Sequence, residues 1–265
     1  MTTVHAIILA IIQGITEFLP ISSSGHLILL PRFLGWPDQG LAFDAAMHIG
    51  TLAAVVFYFR TQLMAMARAW IASATLKKQS PDGHLAWAVL WGTVPVGLVG
   101  LLFNDYIEEH FRRPLLIATT MAGFGIVLWL ADRFGRRQRD EYTVTWGDAA
   151  LIGIAQALAL VPGTSRSGIT MTAGLGVGLT REAAARYSFL LAVPGTAMAG
   201  AYETLKMVRA ATPIDWQPVI IGIVVAAISG FLCIHFLLRF IQRIGMLPFT
   251  IYRLLLAAVI VYAFA

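Results

Sequence analysis

Residues 156–170, QALALVPGTSRSGIT, constrain this chain more than any other stretch. An apolar run climbs to Pro162-Gly163, the polar loop Thr164-Ser165-Arg166-Ser167 follows, and Gly168 opens a second apolar run that continues to Leu179. Neither run reaches the roughly 20 apolar residues that cross a bilayer. Pro-Gly breaks helices, so the pair reads as a helix that enters a membrane, stops and returns. An arginine among hydroxyls at such a break is expensive in apolar surroundings, which makes a functional site the default reading. The solvent is identified by composition. Of 265 residues, 58% are hydrophobic and 12% charged, against about 25% charged in soluble domains.

The same grammar occurs at residues 13–26, QGITEFLPISSSGH. With Gln13 placed on Gln156, Ser22 falls on Ser165, Ser24 on Ser167 and Gly25 on Gly168, while Pro20 and Pro162 miss by one position. Farther on, His48-Ile49-Gly50-Thr51 echoes Val193-Pro194-Gly195-Thr196. Two divergent copies of one unit account for this, a symmetry common in membrane proteins. The expected organisation is a single membrane domain, 1–265, with repeat one at 1–140 and repeat two at 141–265.

Hydropathy places re-entrant pairs at 4–35 and 147–180, with a Trp-containing interfacial turn at 32–40. Six spans are expected at 42–59, 85–103, 115–131, 187–205, 219–238 and 248–264. The segment 60–84 reads as a basic loop whose first part is amphipathic and lies on the surface. Loops 60–84, 132–146, 181–186 and 239–247 together hold 12 Lys and Arg, whereas 104–114 and 206–218 hold 4. By the positive-inside rule the first set is cytoplasmic and both termini face outward. Three spans per copy invert the second copy relative to the first, so the two polar loops meet near the midplane, where protein rather than lipid surrounds their backbone. The fold class is therefore an all-α polytopic membrane protein: six transmembrane helices plus two re-entrant helix pairs in an inverted-topology repeat. No cleavable signal is expected, because Met1-Thr2-Thr3-Val4-His5 has no basic region and no small-residue cleavage site follows. Cys233 stands alone in an apolar run and cannot form an intramolecular disulfide. The net charge of +5 belongs to the loops and is no nucleic-acid signature.

At the meeting point the first loop offers Gln13, Glu17, Ser22, Ser23, Ser24 and His26, and the second Thr164, Ser165, Arg166, Ser167 and Thr170. Gln13 and Glu17, four apart, share a helix face. With no cysteine and no second histidine close by in the sequence, a zinc cage is excluded. Ser24-Gly25 and Ser167-Gly168 read as helix N-caps, and the free N–H groups and dipole of a helix start suit an anion. Arg166 adds a fork that matches phosphate oxygens. A phosphate site inside a membrane points to a lipid phosphate. Glu17 could hold a divalent cation or act as a base, and a serine or His26 could attack phosphorus or shuttle a proton. The structural alternatives are a Glu17–Arg166 pair that only holds the loops, a packing role for His26, and serines that cap or glue helices. Asp44 and His48 read as structural or supporting, and the Arg133–Arg139 cluster as a topology signal only.

QGITEFLPISSSGHL and PGTSRSGIT resemble the two signature motifs of bacterial undecaprenyl-diphosphate phosphatases of the bacitracin-resistance type. The first motif is met by Gln13, Glu17, Ser22-Ser23-Ser24 and His26, the second by Pro162-Gly163-Thr164-Ser165-Arg166-Ser167-Gly168-Ile169-Thr170, and the likeness covers nearly the whole chain. It implies release of the terminal phosphate of undecaprenyl diphosphate, recycling the lipid carrier for the cell wall. It also implies a Mg2+ or Ca2+ requirement with Glu17 at the metal, location in the bacterial inner membrane, and a site open to its outer face. Glu17, His26, Ser23, Arg166, Ser165 and Thr170 fall on the family's catalytic or phosphate-binding positions, and Gln13 stands where the family has Glu or Gln. With these, Gln13, Ser22, Ser165, Ser167 and Thr170 are expected to bind substrate. Either Ser23 attacks, or water does with His26 assisting. Expected partners are a polyprenyl diphosphate and membrane lipids, no nucleic acid, and a homodimer is kept open as the assembly. A lipid-phosphate transporter or flippase using the same anion site is the rival, since broken helices in inverted repeats also build carriers.

Overall fold

Short polar segments start and stop the helices. Ser80 caps a helix that opens on Pro81, where the missing N–H costs nothing. Thr145 and Asp148 form a reciprocal capping box. Gly35, at φ 64°, ends a helix in the left-handed conformation that glycine tolerates. The computed structural model describes residues 2–37, 39–111, 113–210 and 215–264. In order the helices are α1 (Thr3–Phe18), α2 (Ser23–Leu34), α3 (Leu41–Tyr58), α4 (Arg60–Leu76), α5 (Pro81–His110), α6 (Pro114–Phe134), α7 (Trp146–Ala157), α8 (Arg166–Gly176), α9 (Arg181–Ala210), α10 (Trp216–Ile244) and α11 (Leu247–Phe264). Two short 3-10 turns, Glu141–Thr143 and Leu158–Leu160, complete the list. Among the described residues there is no β-strand, only a single bridge between Arg139 and Leu179.

Among the described residues four helices are long and apolar enough to cross a membrane, Pro81–Phe103, Pro114–Phe134, Trp216–Ile244 and Leu247–Phe264, and the pair α3–α4, bent by 81°, makes a fifth if it is one span. The segment expected as a fourth span, 187–205, lies inside α9, whose first half is packed in protein: Ala183–Ala185, Tyr187 and Phe189–Ala192 are buried. A helix sheathed by other helices needs no continuous apolar circumference. Lipid-type surface lies elsewhere, with Leu102, Phe134, Ile228 and Leu255 exposed. Several helices outrun their apolar cores. α5 starts at Pro81 and runs to His110, through most of the loop expected at 104–114. α9 runs to Ala210, into the loop expected at 206–218, of which 211–214 lie outside the described residues, as do Asp38 of the 32–40 turn and Arg112. The basic segment 60–84 contains α4.

α1 packs against α10 and α7 against α5; α3 packs on α9 and α10, and α6 on α11. Glycines set the closest approaches. A Cβ at Gly14 of α1 would meet Ser229 and the Ala226 carbonyl of α10, and one at Gly153 of α7 would strike the backbone of Gly92 in α5. Phe18 and Phe189 meet edge to face, their centroids 5.3 Å apart, in the largest apolar cluster. At one end of the bundle, Asp132 accepts from Arg181 Nε at 2.6 Å, Arg181 Nη2 at 2.9 Å and the Met246 amide at 3.1 Å, gathering α6, α9 and α11. The cluster expected to be a topology signal only is also structural: Arg139 donates to Asp148 (2.6 Å), Thr143 O (2.5 Å) and Val177 O (2.9 Å). A loop arginine near three acceptors gains hydrogen bonds that a hydropathy profile does not register.

Gly153→Leu should lower the melting temperature in detergent, by the equivalent of about 1–3 kcal/mol for overpacking. Gly123→Leu, with open space at its Cβ position, should leave it unchanged.

Candidate active site

Both polar loops are built the same way. α1 ends at Phe18, Pro20 blocks its continuation, and Ser22 caps α2; the turn Leu158–Leu160 ends before Pro162-Gly163, and Ser165 caps α8. Each cap serine accepts from the glycine three residues on, at 3.4 Å for Gly25 and 3.1 Å for Gly168. Each lies 3.3 Å from the serine two residues on, Ser24 or Ser167. Each is also forced to positive φ, 74° for Ser22 and 72° for Ser165. Serine rarely adopts such a conformation, which costs about 1–3 kcal/mol unless the surroundings impose it. The pairing of Ser22 with Ser165, Ser24 with Ser167 and Gly25 with Gly168, read from sequence spacing, is thus matched by geometry.

The surroundings that impose it are found in α11. Arg253, fully buried, donates to Pro20 O (3.2 Å) in the first loop and to Gly163 O and Thr164 O (both 3.0 Å) in the second. Its remaining bonds hold Met121 O (2.8 Å) and Thr120 O (3.3 Å) of α6. Thr120 Oγ1 donates to Pro162 O at 2.7 Å, and Ser167 Oγ joins the loops directly through Leu19 O at 3.0 Å. A Cβ at Gly163 would strike Thr120 Oγ1, and its φ is 88°; only glycine fits.

Held this way, the loops bring Glu17, Ser23 and Arg166 together. Arg166 Nη2 donates to Glu17 Oε1 at 2.7 Å. Ser23 Oγ donates to Oε2 at 2.6 Å, and Gln13 Nε2 to the same oxygen at 3.0 Å. Glu17 is 8% exposed, so these charge-assisted bonds replace its water. Arg166 Nη1 reaches Ser188 O at 3.3 Å, and Thr170 Oγ1 donates to Arg166 O at 2.8 Å and lies 2.7 Å from Ser188 Oγ. The functional candidates therefore separate by position. Glu17, Ser23, Ser165 and Arg166 line a cavity of about 210 Å³. Gln13, Ser22, Ser167 and Thr170 do not line it and bond to the groups or loops around it. His26 does not line the cavity: its Nδ1–H is donated to Ser22 O at 2.7 Å, and its Nε2 lies 2.6 Å from the Tyr252 hydroxyl, which then donates.

Two polar groups of the cavity were not among the expected site residues. His48, read as structural or supporting, donates Nδ1–H to Asp44 O at 2.8 Å, which turns its Nε2 to 3.8 Å from Glu17 Oε2. Gln156 is 1% exposed, lines the cavity, and has a partner for neither amide atom. Its signal was present, since it is the residue that aligns with Gln13.

Among the described residues no three His, Cys, Asp or Glu gather as a protein-only metal cage. A hard dication is also held by one or two carboxylates completed by phosphoryl oxygens and water. Glu17, with the buried and unpartnered Oε1 of Gln13, fits that second arrangement.

Arg253→Leu should free five carbonyls in an apolar interior. The expected loss is about 3–5 kcal/mol, as for breaking buried charge networks, with faster hydrogen exchange in residues 19–24 and 161–167, read by mass spectrometry.

Residues 6–259 match the family model described as bacitracin resistance protein BacA. The chain is 54% identical to undecaprenyl-diphosphatase 2 of Stutzerimonas stutzeri, over 100% of this chain and 99% of the relative. It is 54% identical to the undecaprenyl-diphosphatase of Nitrosococcus oceani over the full length of both, and 52% identical to that of Thioalkalivibrio sulfidiphilus, again over both full lengths. With the family model spanning nearly the whole chain and relatives matching it end to end, this protein belongs to the bacitracin resistance protein BacA family.

Proposed function

We propose that this protein hydrolyses undecaprenyl diphosphate to undecaprenyl phosphate and inorganic phosphate, recycling the lipid carrier of cell-wall synthesis. One observation carries the reading: a buried carboxylate, Glu17, accepts at once from the Ser23 hydroxyl and from the Arg166 guanidinium, a set suited to activating a hydroxyl beside a bound phosphate. The names of the full-length relatives supply the substrate. No observation favours the carrier alternative.

In the membrane we read six spans and two re-entrant pairs, α1–α2 and α7–α8, in repeats of opposite orientation. Partner exchange supports this. Equating α1 with α7 and α5 with α10 turns the α1–α10 contact into the α7–α5 contact, while α6–α11 and α3–α9 map onto themselves. Loop charge puts the start of α5 at the cytoplasm, so the cavity, beside Val96 in its second half, opens to the outer face of the inner membrane.

The diphosphate sits against Arg166 and the free amides at the starts of α2 and α8, where developing negative charge meets fixed donors. Arg166 turns from Glu17 toward the phosphoryl oxygens. Glu17 Oε2 takes the Ser23 proton as Oγ bonds to the terminal phosphorus; the bridging P–O bond breaks and its electron pair leaves with undecaprenyl phosphate. Water then attacks the phosphoserine: its oxygen bonds to phosphorus as the P–Oγ bond breaks, Glu17 returns its proton to Ser23 Oγ, and the freed carboxylate takes one water proton and passes it to solvent as inorganic phosphate leaves. His26, donating to Ser22 O, steadies the loop. A Mg2+ or Ca2+ ion would be held by Glu17 and the Gln13 oxygen, and when bound it neutralises phosphoryl charge. Gln156 offers its amide to the bound diphosphate.

The test is phosphate release from undecaprenyl diphosphate by the purified protein. Glu17→Gln and Arg166→Gln should each lower kcat/KM by about 10²–10³, and each should lower the melting temperature, because each strands a buried partner. The double variant should regain part of the melting temperature and stay inactive; single variants at the wild-type rate would sink the scheme. Gln156→Leu should raise KM about tenfold, the weight of roughly one hydrogen bond, without loss of stability, because it removes two unpaired buried atoms.

A further inference from the structure

A second chamber adjoins the polar cavity. It is a groove of about 340 Å³ between α5 and α9, a volume within the range of ligand sites, about 300–1,000 Å³. Val96, Leu160, Gly195 and Ala199 line both chambers, so the two are continuous. The neck carries a change of chemistry. On the cavity side stands Gln156, buried with both amide atoms unpartnered, its Oε1 4.0 Å from where a Cβ of Gly195 would be. Beyond Gly195 the lining is almost wholly apolar, with Gly97, Gly100, Leu101 and Met198. Two glycines keep the floor low. A Cβ at Gly97 would reach only the flexible end of Met198, at 3.2 Å, and one at Gly100 would meet nothing within 4 Å. At the far end Leu101 is 74% exposed, so the groove opens sideways onto the surface that faces lipid.

An occupant must be anionic at one end and unbranched in polarity beyond it: a short charged head, then hydrocarbon only. A nucleotide or sugar phosphate would bring hydroxyls and ring nitrogens into a lining with almost nothing to bond them. We infer that the α5–α9 groove binds the first isoprene units of a polyprenyl diphosphate, with its phosphates in the adjoining cavity and the rest of its tail passing Leu101 into the bilayer. The inference rests on the diphosphatase reading for its head group, and adds a tail site with its determinants, Gly97 and Gly100. Lipid tails gain little merely by moving from bilayer to groove. The groove therefore acts mainly by alignment, fixing the ester-linked phosphate so that the terminal one meets Ser23.

Two measurements test it. A farnesyl diphosphate analogue with a benzophenone at its tail end, photolysed with the wild-type protein in detergent, should label peptides of 96–102 or 195–202, and excess undecaprenyl phosphate should suppress the labelling at least tenfold. Gly100→Phe, whose Cβ would meet nothing within 4 Å and whose ring is meant to fill the groove, should lower kcat/KM for farnesyl diphosphate at least tenfold more than for methyl diphosphate, which has no tail. Gly123→Phe, on the outer side of α6, should leave that ratio as in wild type. Labelling elsewhere, labelling that undecaprenyl phosphate does not compete (bulk-lipid filling only), or an unchanged ratio in a folded Gly100→Phe protein would overturn the inference. Competed labelling in the groove without phosphate release from any diphosphate would leave the tail site standing and remove the diphosphatase reading.

Discussion

Backbone carbonyls released by a broken helix need donors, and in an apolar interior water does not supply them. Arg253 meets that need for both breaks at once. One guanidinium from the last helix bonds Pro20 O, Gly163 O and Thr164 O, and with its other hydrogens anchors itself to α6. Everything about the site follows from this fastening. The two serine caps can persist at positive φ because the carbonyls beside them are pinned. Glu17 can stay buried because Arg166, on the second loop, is delivered to it within hydrogen-bond distance. A loop free to drift by an ångström would leave either charge without a partner, and an unpaired buried charge is far costlier than a pair.

Much of this was legible in the amino-acid order. A carboxylate, a serine run and an arginine placed at helix breaks in apolar sequence could only be kept if they met, and Glu17, Ser23 and Arg166 do meet. The offset that laid Ser22 on Ser165 is matched by nearly equal φ, but the caps were expected two residues later, at Ser24 and Ser167; a cap serine accepts from the glycine three residues on rather than standing next to it. The unread part was long-range. Arg253 sits alone in an apolar run, and the rule that singled out Arg166 applied to it equally, but nothing local shows that its partners are loops 90 and 233 residues away. His48 was read as structural or supporting; only the packing of α3 beside α1 brings its Nε2 toward Glu17. His26 stands beside the serine run in sequence, and only the packing of α11 shows that its Nε2 lies against the Tyr252 hydroxyl.

Helix limits were misread for one reason. Apolarity marks the stretch that lipid touches, whereas helices end where caps end them. Ser80 and Pro81 start α5 before its apolar core, and α9 continues past its own. α9 is moreover sheathed by protein along its first half, so its polar residues say little about depth.

The position of Arg253 also has a consequence for how the protein is made. The ribosome adds Pro20 233 residues before the arginine that bonds its carbonyl. Throughout synthesis of the second repeat the Pro20 carbonyl waits without its Arg253 donor, and Glu17 has Gln13 and Ser23 at hand but waits for Arg166. The last helix is therefore an assembly step in its own right. A chain released before residue 253 has every motif residue and no site, and quality control that senses unpaired polar groups in the membrane has a clear mark by which to find it.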